Sequence, residues 1–147
     1  MRQLLIIALV GSPSISMAQS PTVLTPMLQR VLNNFAHENI SCAAYFAVAS
    51  TCLKVSFPDD TQTQEATVKA FSTALDRGRD ATRESGLKME TLGARLDLEV
   101  ADIQNLISNN CSNFSLMLQK YAAQCKLLLE TPKKRMDVLY ETEGNRQ

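Results

Sequence analysis

Apolar residues recur at helical spacing along almost the whole of this 147-residue chain. No stretch alternates apolar and polar residues in the way that a half-buried strand would. Glycine and proline, which disfavour helices, are scarce, with five of each. The clearest apolar run has gaps of three and four residues, which place its side chains on one helix face: Met89, Leu92, Leu96, Val100, Ile103 and Ile107. The sequence therefore predicts an all-α fold.

We predict about five helices, packed as a compact antiparallel up-down bundle. The first begins with Pro26 behind an N-cap at Thr25 and ends near residues 37–39. The second begins behind Ser41 and ends before Pro58. Its apolar residues leave almost no polar face, which is typical of a helix in the centre of a bundle.

The third and fourth helices are predicted to form a long helical hairpin. Asp59 or Asp60 caps the third helix, and Gly86 ends it. The fourth helix carries the clearest apolar run and ends at Asn109 and Asn110. With about 25 and about 20 residues, these two are expected to be the longest helices, spanning roughly 30–38 Å.

The fifth helix is predicted to begin behind Ser112 or Asn113. Thr131 and Pro132 mark the start of a further helix. The polar C-terminal extension, residues 132–147, is therefore expected to be partly helical and then to fray. Five side chains of the fifth helix are expected to face the core: Phe114, Leu118, Tyr121, Cys125 and Leu128.

The first 18 residues contain the three regions of a secretory signal peptide. Arg2 supplies a positive start, and residues 4–10 form an unbroken apolar run. Ser16 and Ala18 then supply small side chains at the two positions that a signal peptidase reads. A membrane span needs about 20 apolar residues, so this run is too short to be one. We expect cleavage near Ala18, which leaves residues 19–131 as the helical bundle. The mature protein is expected to be periplasmic or secreted, with no stable membrane anchor.

Charge is balanced across the chain, with 15 basic and 15 acidic residues. Removal of residues 1–18 leaves a mature chain of 147 − 18 = 129 residues. Arg2 is the only charged residue removed, so 14 basic and 15 acidic residues remain. A chain of that length can bury a core as a single domain. Its balanced charge creates no field that would hold nucleic acid or an anionic membrane, so we expect neither as a partner.

All four cysteines follow the predicted cleavage site, and an even number in an oxidising compartment predicts disulfides. Bonded cysteines need Cα atoms within about 7 Å of each other. Cys42 and Cys52 on one straight helix would be about 15 Å apart, and Cys111 and Cys125 about 21 Å, so the bridges must join the second helix to the fifth. An up-down order makes those helices antiparallel, which favours Cys42–Cys125 with Cys52–Cys111 over Cys42–Cys111 with Cys52–Cys125. The cysteine arrangement alone is similar to that of coiled-coil-helix proteins, where outer cysteines pair with outer ones.

Sequence motifs for catalysis and cofactor binding are missing from the chain. No two cysteines stand close enough for a Cys-x-x-Cys redox or haem motif. His37 is the only histidine, which leaves no clustered Cys and His for zinc, and no Glu-x-x-His di-iron motif occurs. A Gly-x-Ser-x-Gly nucleophile elbow is also missing. We therefore predict no catalytic residues, no cofactor and no metal.

Charged residues of both signs follow one another on the third helix at Asp76, Arg77, Arg79 and Asp80. Alternating charges of this kind are typical of a solvated helix face with local ion pairs. They are also a candidate for a partner-binding strip, and we treat them as a predicted site.

The expected function is that of a small exported, non-enzymatic binding or interaction protein. An adaptor, a chaperone-like factor and an immunity protein are examples, and the expected partner is another protein. Two alternatives stay open at this point. One is an enzyme whose site the sequence does not reveal. The other is a carrier of a small apolar ligand, with a cavity inside the bundle lined by Tyr45, Phe46, Phe71 and Tyr121.

Overall fold

The computed structural model describes residues 24–146, and every regular element in that range is helical. Its α-helices are α1 (Pro26–Ser56), α2 (Thr61–Glu84), α3 (Glu90–Leu106), α4 (Phe114–Met117), α5 (Ala123–Glu130) and α6 (Pro132–Gly144). A 3-10 turn, Cys111–Asn113, leads into α4, and a π-helical turn, Leu118–Ala122, joins α4 to α5. Residues 111–130 thus form one interrupted helix, which we call the composite helix. The predicted all-α bundle is confirmed.

α1 is a single helix of 31 residues, so the predicted break near residues 37–41 is wrong. Ser41 lies inside α1, and its hydroxyl donates a hydrogen bond to Glu99 Oε2 at 2.8 Å instead of capping a helix. Asn39 also stays helical, and its side-chain amide donates to the carbonyl of Phe35 at 2.8 Å. Both polar side chains have partners that leave the helical backbone uninterrupted.

The predicted starts of α1 and α2 are confirmed. Thr25 Oγ1 accepts a hydrogen bond from the N–H of Leu28 at 3.3 Å, and Pro26 is the first helical residue. At α2, an oxygen of Asp60 accepts from the N–H of Thr63 at 3.1 Å. Each cap satisfies a backbone donor that has no partner within the helix.

Gly86 ends α2, as the sequence predicts. Its φ of +76° lies in the left-handed region, which glycine adopts without steric cost. Two backbone hydrogen bonds close the end of the helix: the N–H of Leu87 donates to Thr82 at 3.2 Å, and that of Gly86 donates to Arg83 at 3.1 Å. This pair of bonds defines a Schellman motif.

α1 forms the centre of the bundle, and the other helices pack around it. α2 and α3, with 24 and 17 residues, lie chiefly against α1 and have few contacts with each other. With 17 residues, α3 is shorter than the predicted length of about 20, and α1, with 31 residues, is the longest helix. The predicted central position of the Cys42–Cys52 segment is confirmed by its buried side chains: Cys42, Ala43, Ala44, Tyr45, Val48, Ala49 and Cys52.

Two disulfides join α1 to the composite helix. Cys42 bonds Cys125 with Cα atoms 5.4 Å apart, and Cys52 bonds Cys111 with Cα atoms 5.2 Å apart. The favoured pairing is confirmed, and α1 and the composite helix run antiparallel. The cysteines are ten residues apart on α1 and fourteen on the composite helix. The π-helical turn between Cys111 and Cys125 has more residues per turn than an α-helix, which reduces this difference in length.

One residue of the composite helix that was predicted to face the core is exposed instead. Leu118, expected to face inward, is 39% exposed, whereas Met117 is fully buried. The π-helical turn begins at Leu118 and widens the helix locally. Successive core positions across it are therefore four residues apart, at Met117, Tyr121 and Cys125.

α6 begins at Pro132, as the Thr131-Pro132 pair predicts, and continues to Gly144. The side chain of Glu143 is only 2% exposed. Its carboxylate accepts hydrogen bonds from two residues of α1, Arg30 Nε at 2.9 Å and Asn34 Nδ2 at 3.2 Å. The C-terminal extension is therefore anchored to α1 close to its end.

The predicted signal peptide, residues 1–18, lies outside the residues that the structure describes. Within residues 24–146, no helix combines the length and the hydropathy that crossing a membrane requires. The two disulfides are compatible with a secreted or periplasmic protein.

Candidate functional site

One end of the bundle is built from two stretches without any charged residue. Residues 39–53 of α1 and residues 103–119, which include the start of the composite helix, contain no Asp, Glu, Lys or Arg. The Cys52–Cys111 bridge holds these stretches together. We call this surface the disulfide end, and we include in it the exposed residues Val55 and Phe57, which follow the exposed Lys54.

Two open clefts flank the Cys52–Cys111 bridge, and both cysteines line each of them. The first cleft, of about 200 Å³, lies between α1 and α3, with Val48 and Val100 among its walls. The second, of about 230 Å³, lies between α1 and the composite helix. Its aromatic walls are Phe57 and Phe114. The bridge thus forms a wall shared by two shallow, mostly apolar hollows.

Val55 and Phe57 are the most exposed apolar side chains at this end, at 72% and 56%. The backbone that carries Phe57 is nevertheless held in place. Its N–H donates to the carbonyl of Leu53 at 2.8 Å, and its carbonyl accepts from Gln64 Nε2 at 2.8 Å. An ordered backbone therefore presents an aromatic ring to solvent.

The turn between α3 and the composite helix completes the disulfide end. Ser108 and Asn109 both have φ of +54°, in the left-handed region. Asn110 caps the 3-10 turn, and its Oδ1 accepts from the N–H of Ser112 at 3.0 Å. Asn113, one of the two predicted caps, stands at the N-cap position of α4, although its side chain makes no capping hydrogen bond. Asn113 instead donates from Nδ2 to the carbonyl of Ile107 at 3.1 Å. The polar side chains of this turn are thus partly used to hold the turn itself.

The predicted partner-binding strip on α2 is divided by the structure. Asp76 pairs with Arg79 at 2.9 Å, and Asp80 pairs with Arg83 at 3.3 Å, all on the exposed side of the helix. Such exposed pairs within a helix contribute about 0.3–0.5 kcal/mol each. Opposite charges are matched locally, so this face is close to neutral.

Arg77, the remaining residue of the strip, has a structural role. Its Nη1 donates to the carbonyls of Leu128 and Leu129 at 3.0 and 3.2 Å. These carbonyls lie in the last turn of α5, where the helix leaves acceptors without partners. Arg77 therefore ties α2 to α5, and the strip as a binding site stays a prediction for Asp76, Arg79 and Asp80.

A polar groove between α1 and α3 contains the single histidine. His37 Nδ1 is 3.8 Å from Glu99 Oε1, and Ser41 donates its hydroxyl to the other oxygen of the same carboxylate. A serine nucleophile of the triad type would need its hydroxyl on the histidine instead. This arrangement joins α1 to α3. Among residues 24–146, no group of three or more His, Cys, Asp or Glu side chains is placed to hold a metal.

Three of the four aromatic residues proposed for a ligand cavity pack against one another, and the fourth, Phe71, is partly buried against the core. Tyr45 and Tyr121 are 6% and 8% exposed, and their ring centroids are 6.0 Å apart in a stacked arrangement. Phe46 packs on Tyr45 with centroids 4.8 Å apart. Burial raises the pKa of the Tyr45 phenol. These rings fill the space between α1 and the composite helix.

No protein-family model matches this chain, and no curated protein or solved structure matches it either. The fold defines a class, that of small helical bundles stapled by disulfides. Function must therefore be argued from the surface. The sequence signal that would have pointed to the disulfide end is the absence of charge in residues 39–53 and 103–119.

Proposed function

We propose that this chain is a small exported, non-enzymatic protein that binds another protein through its disulfide end. Export to the periplasm of a bacterium, after removal of residues 1–18, is part of the proposal. An adaptor, a chaperone-like factor and an immunity protein all fit this description. The exposure of Val55 and Phe57, with Phe57 beside the uncharged residues 103–119, is the observation that carries it.

The composition of the disulfide end supports a protein as the partner. The centres of protein–protein interfaces are depleted in charged residues and enriched in aromatic ones. Residues 103–119 have no charge, and Phe57 and Phe114 line the cleft beside the bridge. The ordered backbone at Phe57 lowers the entropy that binding would cost, because that part of the surface needs no rearrangement.

The two alternatives have weaker support. Pockets for small molecules usually enclose about 300–1,000 Å³ and bury most of the ligand. The clefts beside the bridge are smaller, at about 200 and 230 Å³, and the larger hollows, of about 420 to 760 Å³, are open to solvent. A catalytic carboxylate would be expected in a cleft without a permanent partner. Glu143 is buried, but Arg30 and Arg146 neutralise it at 2.9 and 2.8 Å.

A matched pair of substitutions tests the proposal. Phe57→Glu places a charge in the disulfide end. Leu98→Glu, the control, replaces a 67% exposed leucine on α3 by the same charged residue outside the disulfide end. Leu98 lines the groove that contains His37, and His37 lies far from Phe57 along α1. Both proteins, and the wild type, would be used to capture partners from a native envelope extract, with mass spectrometry of proteins and small molecules.

We expect the wild type and Leu98→Glu to capture the same protein partner. Phe57→Glu should capture at least about tenfold less of it, as for a residue at the centre of an interface. Circular dichroism must show that all three proteins are equally helical. A photocrosslinker at position 57 should attach to that partner, and one at position 98 should not. Equal capture by both variants, or recovery of a small apolar molecule alone, would contradict the proposal.

A further inference from the structure

We infer that the Cys52–Cys111 bridge is a thiol-exchange site, open to attack by a dithiol such as that of a thioredoxin-type oxidoreductase. The Cys42–Cys125 bridge, in contrast, is a permanent structural link. The inference concerns the reactivity of the chain itself, and it holds whether or not the disulfide end binds a partner.

The two bridges differ in access. Cys42 and Cys125 are 1% and 0% exposed and belong to the core. Cys52 is also buried, but Cys111 is partly exposed, and open clefts reach the pair from two sides. Exchange requires that a thiolate reach a disulfide sulfur, so its rate depends on access. The Cys111 sulfur is therefore the point of attack.

The backbone around the two bridges differs as well. Cys42 and Cys125 both lie inside α-helices, α1 and α5. Cys111 lies in a 3-10 turn just after Ser108 and Asn109, which both have left-handed φ angles. This region carries a steric cost for Ser108, whereas asparagine adopts it more readily. When its bond to Cys52 opens, Cys111 can move with this turn without disrupting a helix. Cys125 has no such freedom.

The exchange proceeds in two balanced steps. A thiolate of the dithiol attacks Cys111 Sγ, the Cys52–Cys111 bond breaks, and Cys52 leaves as a thiolate that takes a proton from water in the cleft. The second thiolate of the dithiol then attacks its own partner sulfur in the mixed disulfide and releases Cys111. The dithiol is oxidised by two electrons, and Cys52 and Cys111 become free thiols.

Reduction at this site has a consequence for the disulfide end. The bridge is the wall shared by the two clefts, so its opening removes the constraint that shapes both of them. Partner binding would then depend on redox state. This consequence rests on the proposed function, whereas the exchange itself is measured without any partner.

The test is stepwise reduction of the oxidised protein with dithiothreitol. Samples are quenched with acid, alkylated with N-ethylmaleimide and mapped by mass spectrometry. We expect Cys52 and Cys111 to be alkylated at least about tenfold faster than Cys42 and Cys125, because access limits the rate. Far-UV circular dichroism should stay unchanged while the first bridge opens. Equal rates, the reverse order, or loss of helicity in step with the first reduction would overturn the inference.

Two paired variants serve as controls. In Cys52→Ala/Cys111→Ala the remaining bridge should keep its slow rate, and in Cys42→Ala/Cys125→Ala the remaining bridge should keep its fast rate. A thioredoxin-type protein whose second active-site cysteine is replaced by serine should be trapped as a mixed disulfide on Cys111. Trapping on Cys42 or Cys125 would contradict the inference, because the exchange site would then be the other bridge.

Discussion

Gly78 and Gly93 both lie inside helices, yet the space beside them differs. A Cβ at Gly78 would lie 2.7 Å from Ile40 Cδ1, whereas one at Gly93 would meet nothing within 4 Å. Alanine is better than glycine in a helix interior by about 1 kcal/mol, so Gly93→Ala should stabilise the protein by up to that amount. At Gly78 the same gain offsets part of an overpacking cost of about 1–3 kcal/mol, so Gly78→Ala should be destabilising by up to about 2 kcal/mol. Urea unfolding followed by circular dichroism measures both.

A third substitution identifies the cause at Gly78. Ile40→Val removes the Cδ1 atom that the new methyl group would meet, so it should recover part of the stability lost in Gly78→Ala. The coupling is obtained from a double-mutant cycle. If Gly78→Ala stabilised the protein as much as Gly93→Ala, α2 would not approach α1 as closely as the structure indicates.

At the level of single elements, a buried carboxylate, Glu143, helps to tie α6 to α1, together with the Arg135–Glu38 ion pair. Glu143→Gln weakens the hydrogen bonds from Arg30 and Arg146, and bonds to charged groups contribute about 1.5–3 kcal/mol. Because both arginines are partly exposed, we expect a loss nearer 1 kcal/mol, concentrated in α6. Hydrogen exchange should become faster in residues 132–144 and stay unchanged in α2.

The control for this prediction is Asp76→Asn, which removes the exposed pair with Arg79. A pair of this kind is worth less than about 1 kcal/mol, so stability should barely change. Faster exchange throughout the bundle in Glu143→Gln would mean that the carboxylate supports the whole fold rather than one helix.

The helix boundaries show which parts of the fold a sequence can predict. The start of α1 at Pro26 and the end of α2 at Gly86 depend on residues a few positions away, and both were predictable. The expected break near residues 37–41 was wrong because the partner of Ser41 is Glu99, which is 58 residues away. Local propensity cannot identify a partner that only the tertiary fold brings into contact.

The candidate site was predictable to a similar extent. Helix geometry and an antiparallel order were enough to favour the Cys52–Cys111 bridge, and the lack of charge in residues 103–119 is visible in the sequence. The exposure of Phe57 was not predictable, because it depends on where the chain turns away from the bundle. In the same way, Arg77 could not be separated from its neighbours until α5 was placed beside it.

At the scale of the whole molecule, two long-range bridges link the composite helix to α1, the central helix. The bridges link residues 83 and 59 positions apart. In the loop-entropy model each stabilises the fold by roughly 4–4.5 kcal/mol, and the difference in loop length changes this by only about 0.3 kcal/mol. Single domains are typically stable by about 5–15 kcal/mol, so each bridge supplies a large share. Full reduction is therefore expected to lower the melting temperature strongly.

The two bridges should nevertheless be unequal when each is removed alone. Cys42→Ala/Cys125→Ala deletes two sulfurs from a fully buried site and leaves a cavity, and cavity formation adds to the lost loop constraint. Cys52→Ala/Cys111→Ala deletes them beside open clefts, which water can fill. Since loop length alone accounts for about 0.3 kcal/mol, we expect the first variant to be less stable than the second by at least about 1 kcal/mol. Thermal and urea unfolding measure the difference, and equal stabilities would show that chain entropy alone sets the contribution of each bridge.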